Sequence, residues 1–152
     1  MKKISVQRGK FDVSEEISDL VFGTQGVGAV LSFVGVVRAY NDADPLLSMT
    51  LEYFPGMTER ELERIADEAM IRWDLLGVTI IHRIGELMPS EQIVLVLTAS
   101  AHRHPAFEGG EFLMDYLKTK APFWKEEKRM SGTRWIEARS SDEIAAARWD
   151  KI

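Results

Sequence analysis

Three stretches of this chain combine residue types that could hold or transform a small anion. The first is Ser100-Ala101-His102-Arg103-His104-Pro105-Ala106-Phe107, where an apolar run ends in three side chains able to carry positive charge, just before a helix start. The free N–H groups of a helix N-terminus favour anions, and the planar arginine fork suits phosphate or carboxylate. A polar strand-to-helix turn explains the same segment without a ligand. The second runs from Asp115 to Glu127 and contains Lys118, Lys120 and Lys125. Lys118 and Lys120 fall in the last turn of a helix, where cations suit the dipole whether or not they act on anything. Lys118 adjoins Leu117 at the edge of the apolar stripe, where partial desolvation would lower its pKa and sharpen its amine as a nucleophile. Lys125 follows Trp124 on an extended stretch, and Glu126 and Glu127 could simply neutralise it. The third is Arg38, at the end of Phe33-Val34-Gly35-Val36-Val37, where a loop begins. Strand ends of this kind often carry binding residues, although an exposed strand end reads the same way. Gly35 leaves room for close backbone approach.

The composition limits what such groups can be for. The formal net charge is −5, which argues against bulk attraction to nucleic acid or an anionic membrane, so an anion site has to be a local concentration of positive groups. The chain has no cysteine, which excludes disulfides, thiolate metal sites and a cysteine nucleophile. His82, His102 and His104 make a poor metal set, because no third ligand lies near the last two. No stretch approaches the roughly 20 apolar residues that span a bilayer. Met1-Lys2-Lys3-Ile4-Ser5-Val6 lacks an apolar run behind its basic residues, so no signal peptide is expected and the expected location is cytoplasmic.

The elements that must position these groups follow from periodicity and turn residues. Residues 3–7 alternate weakly, as a short strand does. Ser14-Glu15-Glu16 opens a short helix through Ile17, Leu20 and Val21 that stops near Gly23 and Gly26. Gly28 to Arg38 has apolar residues on both faces, which predicts a central strand covered on both sides. After the loop 41–45, a strand from Leu46 to Phe54 could pair with it as a long hairpin. Thr58 and Glu61 form a capping-box pattern ahead of a helix over 59–76 that carries Leu62, Ile65, Ala66, Ala69 and Trp73 on one face and ends at Gly77. Val78 to Ile84 and Gln92 to Ala101 are strands. A second helix starts near Pro105 and stops before Pro122. Gly109-Gly110 should loosen it, by roughly 1 kcal/mol per glycine if fully helical. Phe123 to Lys128 and Thr133 to Ala138 flank a turn at Ser131-Gly132, and Asp142 to Trp149 is a terminal helix. No linker or repeat divides residues 1–152, so the sequence predicts one α+β domain with a largely antiparallel sheet.

Taken together, the segments resemble the large subunit of molybdopterin synthase, the MoaE family. The matching pieces are Phe33-Val34-Gly35-Val36-Val37-Arg38, Leu51-Glu52-Tyr53 with Gly56-Met57, His82-Arg83-Ile84-Gly85, and Ser100-Ala101-His102-Arg103 with Ala106-Phe107. Asp115 with Leu117-Lys118, Pro122-Phe123-Trp124-Lys125-Glu126-Glu127, then Gly132 and Trp135 complete the series. Order and spacing hold from about residue 4 to residue 150. Val36 departs from the pattern, because some relatives carry lysine there, which leaves backbone N–H groups or neighbours to contact phosphate.

The resemblance implies an α/β-hammerhead-type fold with an added small β subdomain, and a homodimer at the core of a heterotetramer. Two copies of a ubiquitin-like small subunit would complete the assembly, each inserting a thiocarboxylated Gly-Gly tail into a pocket on the large subunit. The implied reaction converts cyclic pyranopterin monophosphate into molybdopterin by adding two sulfurs, with no cofactor, metal, nucleic acid or membrane required. Carried over position by position, Lys118 and Lys125 are the catalytic lysines. Val36, Val37, Arg38, His102, Arg103, Glu126 and Glu127 surround the substrate, and Arg139 reaches the pocket across the dimer. A chain without cysteine cannot carry sulfur as a persulfide, so the implied outside donor is consistent with the composition. A non-catalytic module that docks a ubiquitin-like tail or a phosphorylated metabolite is the competing reading. Two lysines converging on one carbon favour the enzyme.

Overall fold

Two adjacent strands of nearly uninterrupted apolar sequence organise the molecule, and the structure, a computed structural model, describes residues 1–38, 43–136 and 140–151 around them. They are β4 (Gly77–Arg83), buried along its whole length, and β6 (Gln92–Ser100), antiparallel to it with Ile80 opposite Val96. β1 (Lys2–Gln7) pairs in parallel with β4, and β2 (Ala29–Val36) pairs antiparallel with β6, giving the order β1-β4-β6-β2. Side chains alternate across this sheet. Val78, Ile80, Val94 and Val96 face α2 (Met57–Arg72) and α3 (Arg103–Thr119), where they join Leu62, Ile65, Phe112 and Leu113 in the main core. Ile81, Leu95, Leu97 and Ala99 face the other way and pack with Leu20 of α1 (Val13–Phe22). Each fully buried aliphatic side chain here contributes about 1.5–3 kcal/mol.

The second sheet is smaller and has the order β5-β3-β7-β8, antiparallel throughout. Its strands are β3 (Leu46–Tyr53), β5 (Gly85–Leu87), β7 (Phe123–Arg129) and β8 (Gly132–Ile136), and its core is Val37, Leu46, Leu51 and Leu87. α4 (Ser140–Ala147) and a 3-10 turn (Arg148–Lys151) close against α3. Trp149 Nε1 donates to Asp115 Oδ2 at 2.7 Å, and Arg72 Nη2 donates to the Trp149 carbonyl at 2.9 Å. Among the described residues, no helix is long and apolar enough to cross a membrane.

Several expectations are corrected. β2 is an edge strand that is not fully covered, with Phe33 40% and Val36 50% exposed. Periodicity reports that both faces are apolar and does not say what covers them. β3 forms no hairpin with β2. It leaves the first sheet and pairs with β5 and β7 around its own small core. The cap of α2 lies two residues earlier than expected: the Glu59 carboxylate accepts from Gly56 N–H at 3.1 Å, and the Thr58 hydroxyl accepts from Phe54 N–H and donates to the Pro122 carbonyl. α2 ends at Arg72, ahead of Asp74 at φ 52°, and Gly77 opens β4 instead of ending the helix.

α3 runs unbroken through Gly109 and Gly110; both are buried, and their missing side chains let the helix approach its neighbours closely. A Cβ at Gly109 would sit 2.7 Å from Leu75 Cδ1, and one at Gly110 would sit 2.4 Å from Leu31 Cδ2. The Thr98 hydroxyl, on the strand beneath, donates to the Ala106 carbonyl at 2.7 Å and pins the same stretch.

A stricter glycine position lies at the start of β2. A Cβ on Gly28 would come within 2.2 Å of the Ala101 carbonyl oxygen, a backbone atom that no rotamer change can move. Gly28→Ala should therefore cost about 1–3 kcal/mol. Gly9→Ala, with nothing within 4 Å of the new methyl, should stay within about 0.5 kcal/mol of wild type. Urea midpoints of the two variants check this pair.

Candidate active site

Where α3 ends, its face of the first sheet is left uncovered, and β7 crosses in front of the gap. The result is a groove of about 990 Å³ between the two sheets. Phe33, Gly35, Val36 and Arg38 come to it from β2 and its end, His82 from β4, and Met114, Leu117 and Lys118 from the last turns of α3. β7 alternates, which places Phe123, Lys125, Glu127 and Arg129 on the groove side. Arg134 and Ile136 of β8 and Asp142 of α4 close it. His82 stacks on Phe123 with ring centroids 3.9 Å apart and 17° between planes, so the two sheets meet through this ring pair.

The electrostatics of the groove centre on Lys125. It is half-buried, and loss of water lowers its pKa from 10.5 to about 8, with the positive charge of Lys118 pushing the same way and Asp142 and Glu127 pushing back. Lys118 itself is exposed, so the desolvation that the apolar stripe suggested for it falls on Lys125 instead. Glu127 is buried and does not neutralise Lys125 by direct pairing. Arg129 binds its carboxylate in a fork, Nη2 donating to Oε1 at 2.9 Å and to Oε2 at 3.0 Å, and Arg134 Nη2 stands 3.8 Å away. Arg129 Nη1 also donates to the Asp44 carbonyl at 2.7 Å, which ties this pair to the loop before β3.

Lys118, Lys125, Arg38, Val36 and Glu127 therefore line one groove. Val37 lies directly beneath as part of the small core, with its N–H donated to the Glu91 carbonyl and its carbonyl accepting from Ser90 N–H. It shapes the wall without a free polar group. Glu126 sits on the opposite face of β7, opposite Thr50 and Trp135 in the sheet register. His102 and Arg103 are exposed at the start of α3. Helical rise over the intervening 15–16 residues puts them roughly 22–24 Å from Lys118. Within one chain they do not reach this groove. Arg139 lies outside the described residues.

Sequence reasoning missed His82, Arg129, Arg134 and Asp142. Arg129 was legible from the period-2 pattern that begins at Lys125, and His82 as an ionisable side chain directly after Ile80-Ile81 in a strand-forming run. Arg134 and Asp142 reach the groove only through strand register and tertiary packing, which leave no local signal.

An α+β protein with two lysines facing one groove between two sheets is the class that the geometry defines. The family profile described as MoaE protein matches residues 6–120. The molybdopterin synthase catalytic subunit of Escherichia coli K12 is 54% identical over 147 residues, which cover 97% of this chain and 97% of that protein. The one from Ralstonia nicotianae is 52% identical over 149 residues, covering 98% of this chain and 85% of that protein. Among solved structures, a molybdopterin biosynthesis MoaE protein from Burkholderia ambifaria superposes with a TM-score of 0.85 at 47% identity, covering 99% of each chain. The chain belongs to the MoaE family.

The Lys125 assignment can be titrated. Its folded pKa is depressed, so the ammonium opposes folding below about pH 8. That penalty is released as pH rises towards the unfolded value of about 10.5. Followed through its side-chain carbon resonances, Lys125 should titrate near 8 in the wild type. In Lys118→Gln the midpoint should move upward, because a repelling charge has gone. An unmoved midpoint in that variant would show that the two amines do not share the groove.

Proposed function

We propose that this chain is the catalytic subunit of a molybdopterin synthase, a sulfurtransferase that makes molybdopterin from cyclic pyranopterin monophosphate in molybdenum cofactor biosynthesis. The observation that carries this reading is Lys118 and Lys125 lining one groove, in a chain about half identical to named catalytic subunits along nearly its whole length. A subunit called catalytic works beside another, and the partner proposed is the ubiquitin-like small subunit with a thiocarboxylated Gly-Gly tail. The groove is open enough to admit a slender tail, with Trp124 at its rim packed edge-on to Phe54 at 4.3 Å. The proposal includes a cytoplasmic location, as the resemblance implies.

For each sulfur, water adds its oxygen to the acyl carbon as the carbon–sulfur bond breaks, which leaves the tail as a carboxylate. The sulfur bonds to a pterin side-chain carbon whose carbon–oxygen bond breaks; one of the two displaced oxygens leaves as water and the other stays on the phosphate as the cyclic ester opens. Two such transfers, each consuming one tail, complete the dithiolene. Lys118 stands at the acyl carbon, where an ammonium stabilises developing negative charge and an amine can take the acyl group. Lys125, with a pKa of about 8, is about one-tenth neutral at pH 7 and can relay protons in that range. Arg38 and the Val36 backbone hold the cyclic phosphate, with Val37 beneath them and Glu127 fixing Arg129 in the wall. Glu126 supports Lys125 from the far face of β7.

His102 and Arg103 enter this reading through a second copy. In the homodimer proposed here the two-fold axis lies where the start of one α3 meets the end of the other, so that a site takes Lys118 from one protomer and Arg103 from its mate.

The deciding experiment mixes the protein with thiocarboxylated small subunit and cyclic pyranopterin monophosphate, then assays molybdopterin. Lys118→Ala should fold and bind the small subunit yet lose nearly all product. Lys118→Arg should not restore it, since a guanidinium lacks a compact amine of tunable pKa. Near-wild-type turnover by Lys118→Arg would leave only a charge role, and an active Lys118→Ala would remove the groove from the reaction. Arg103→Ala should weaken pterin binding at least tenfold, as loss of a charged hydrogen bond predicts. Co-refolded Lys118→Ala and Arg103→Ala chains should recover roughly a quarter of wild-type turnover, because half the dimers are mixed and each has one intact site. No recovery would show that Arg103 does not complete its mate's site.

A further inference from the structure

The groove contains a neutral nitrogen acceptor that the reaction as described does not use. His82 sits on β4 with its ring stacked on Phe123, and its Nδ1 lies 2.9 Å from the Arg83 carbonyl. A carbonyl can only accept, so Nδ1 carries the proton and Nε2 presents a lone pair. Among the described residues no group donates to Nε2, yet it is not one of their enclosed, unpartnered polar atoms, which are Thr24 Oγ1, Glu59 Oε1 and Thr79 Oγ1. Nε2 therefore keeps a share of accessible surface, and the surface that His82 lines is the groove.

The ring has little freedom to turn. The Phe123 stack fixes its plane, and the bond to Arg83 fixes its rotation within that plane. The charged groups facing it are Lys118 at the end of α3 and Lys125 on β7, and both oppose a further positive charge. Burial acts first and in the same direction, which lowers the His82 pKa to about 4 and leaves the ring neutral around pH 7. Next to it, Lys118, Lys125, Arg38 and Arg134 are donors only, and the Glu127 carboxylate is occupied by Arg129. A ligand that brings N–H groups into this groove meets few free acceptors, and one of them is held rigid.

We propose that His82 is a specificity-determining residue: its Nε2 accepts a hydrogen bond from a ring N–H of the bound pterin and so sets the heterocycle's orientation between the two lysines. This rests on the proposed synthase activity, and it adds a contact for the heterocycle to the phosphate contacts already described. It selects a nitrogen heterocycle with an in-plane donor over a phosphorylated ligand of similar size without one.

Steady-state kinetics with thiocarboxylated small subunit in excess separate the roles. His82→Phe keeps a ring against Phe123 but has no acceptor, and it should raise the KM for the pterin roughly tenfold with kcat within about threefold of wild type. His82→Gln returns an oxygen near the Nε2 position and should recover most of that loss, which a purely structural role would not produce. A wild-type KM in His82→Phe, or no recovery in His82→Gln, overturns the proposal while wild-type turnover keeps the synthase reading intact. Absence of turnover in the wild type overturns both. Should His82→Phe fail to fold, nitrogen NMR of labelled wild-type protein decides the matter. The unprotonated Nε2 resonance should shift when cyclic pyranopterin monophosphate saturates the groove, and a resonance that stays in place at saturation overturns the proposal.

Discussion

Keeping an ammonium half out of water and beside a second cation, with no ion pair to it among the described residues, is the constraint on which the rest of this site depends. Lys125 is in that position, and its lowered pKa measures the cost. A carboxylate in contact would remove the cost and with it the amine's reactivity. Glu127, two residues on and on the same side of β7, is the obvious candidate, and Arg129 occupies it. The Glu127–Arg129 pair thus satisfies a buried carboxylate and also keeps that carboxylate from quenching the lysine. Asp142, from α4, favours the charged form of Lys125 more than Glu127 does. These acidic groups hold the pKa near 8 against burial and the push from Lys118.

The same constraint explains the construction of α3. Lys118 must stand beside Lys125 without being drawn into the core, so it occupies the last turn, one position off the buried stripe. The helix has to be straight, long and close to the sheet for its end to fall there. Gly109 and Gly110 provide the closeness, since their missing side chains leave room for Leu75 and Leu31. Thr98 fastens the start, and Asp115 takes bonds from Trp149 at 2.7 Å and Arg148 at 3.1 Å near the end. A helix held at both ends carries Lys118 at one terminus and His102 with Arg103 at the other. Its length is what prevents a single protomer from bringing both sets to one groove.

The sequence made some of this legible. The two main helices, the apolar strands of the first sheet and the hairpin from Phe123 onward follow from periodicity and turn residues, because each reports on local packing. Lys118 and Lys125 were visible as chemistry-bearing positions. What failed was long-range. The double apolar pattern of β2 promised a central strand, although the chain alone leaves Phe33 and Val36 open. Proximity in sequence suggested that β3 would pair with β2, although β3 has its own core to complete. The desolvated lysine was placed at Lys118 because helical periodicity shows which residues adjoin a stripe. Lys125 loses water in a groove that both sheets line, which no local window contains.

An acidic chain with a cation-lined groove also has to admit an anion that its average field repels. Salt screens charges beyond about 8–10 Å, so the surface carboxylates act weakly on a ligand already at the rim. Many of those carboxylates are also engaged with neighbouring cations, as Glu61 and Glu68 are with Arg64. Inside the groove the screening is poorer, and Arg38, Lys118, Lys125 and Arg134 act over short distances through low-dielectric walls. The local sign therefore outweighs the net one where the chemistry takes place. The same walls that lower the Lys125 pKa strengthen its pull on a bound anion, so the energy spent on desolvating the lysine returns in part when a phosphate or thiocarboxylate arrives.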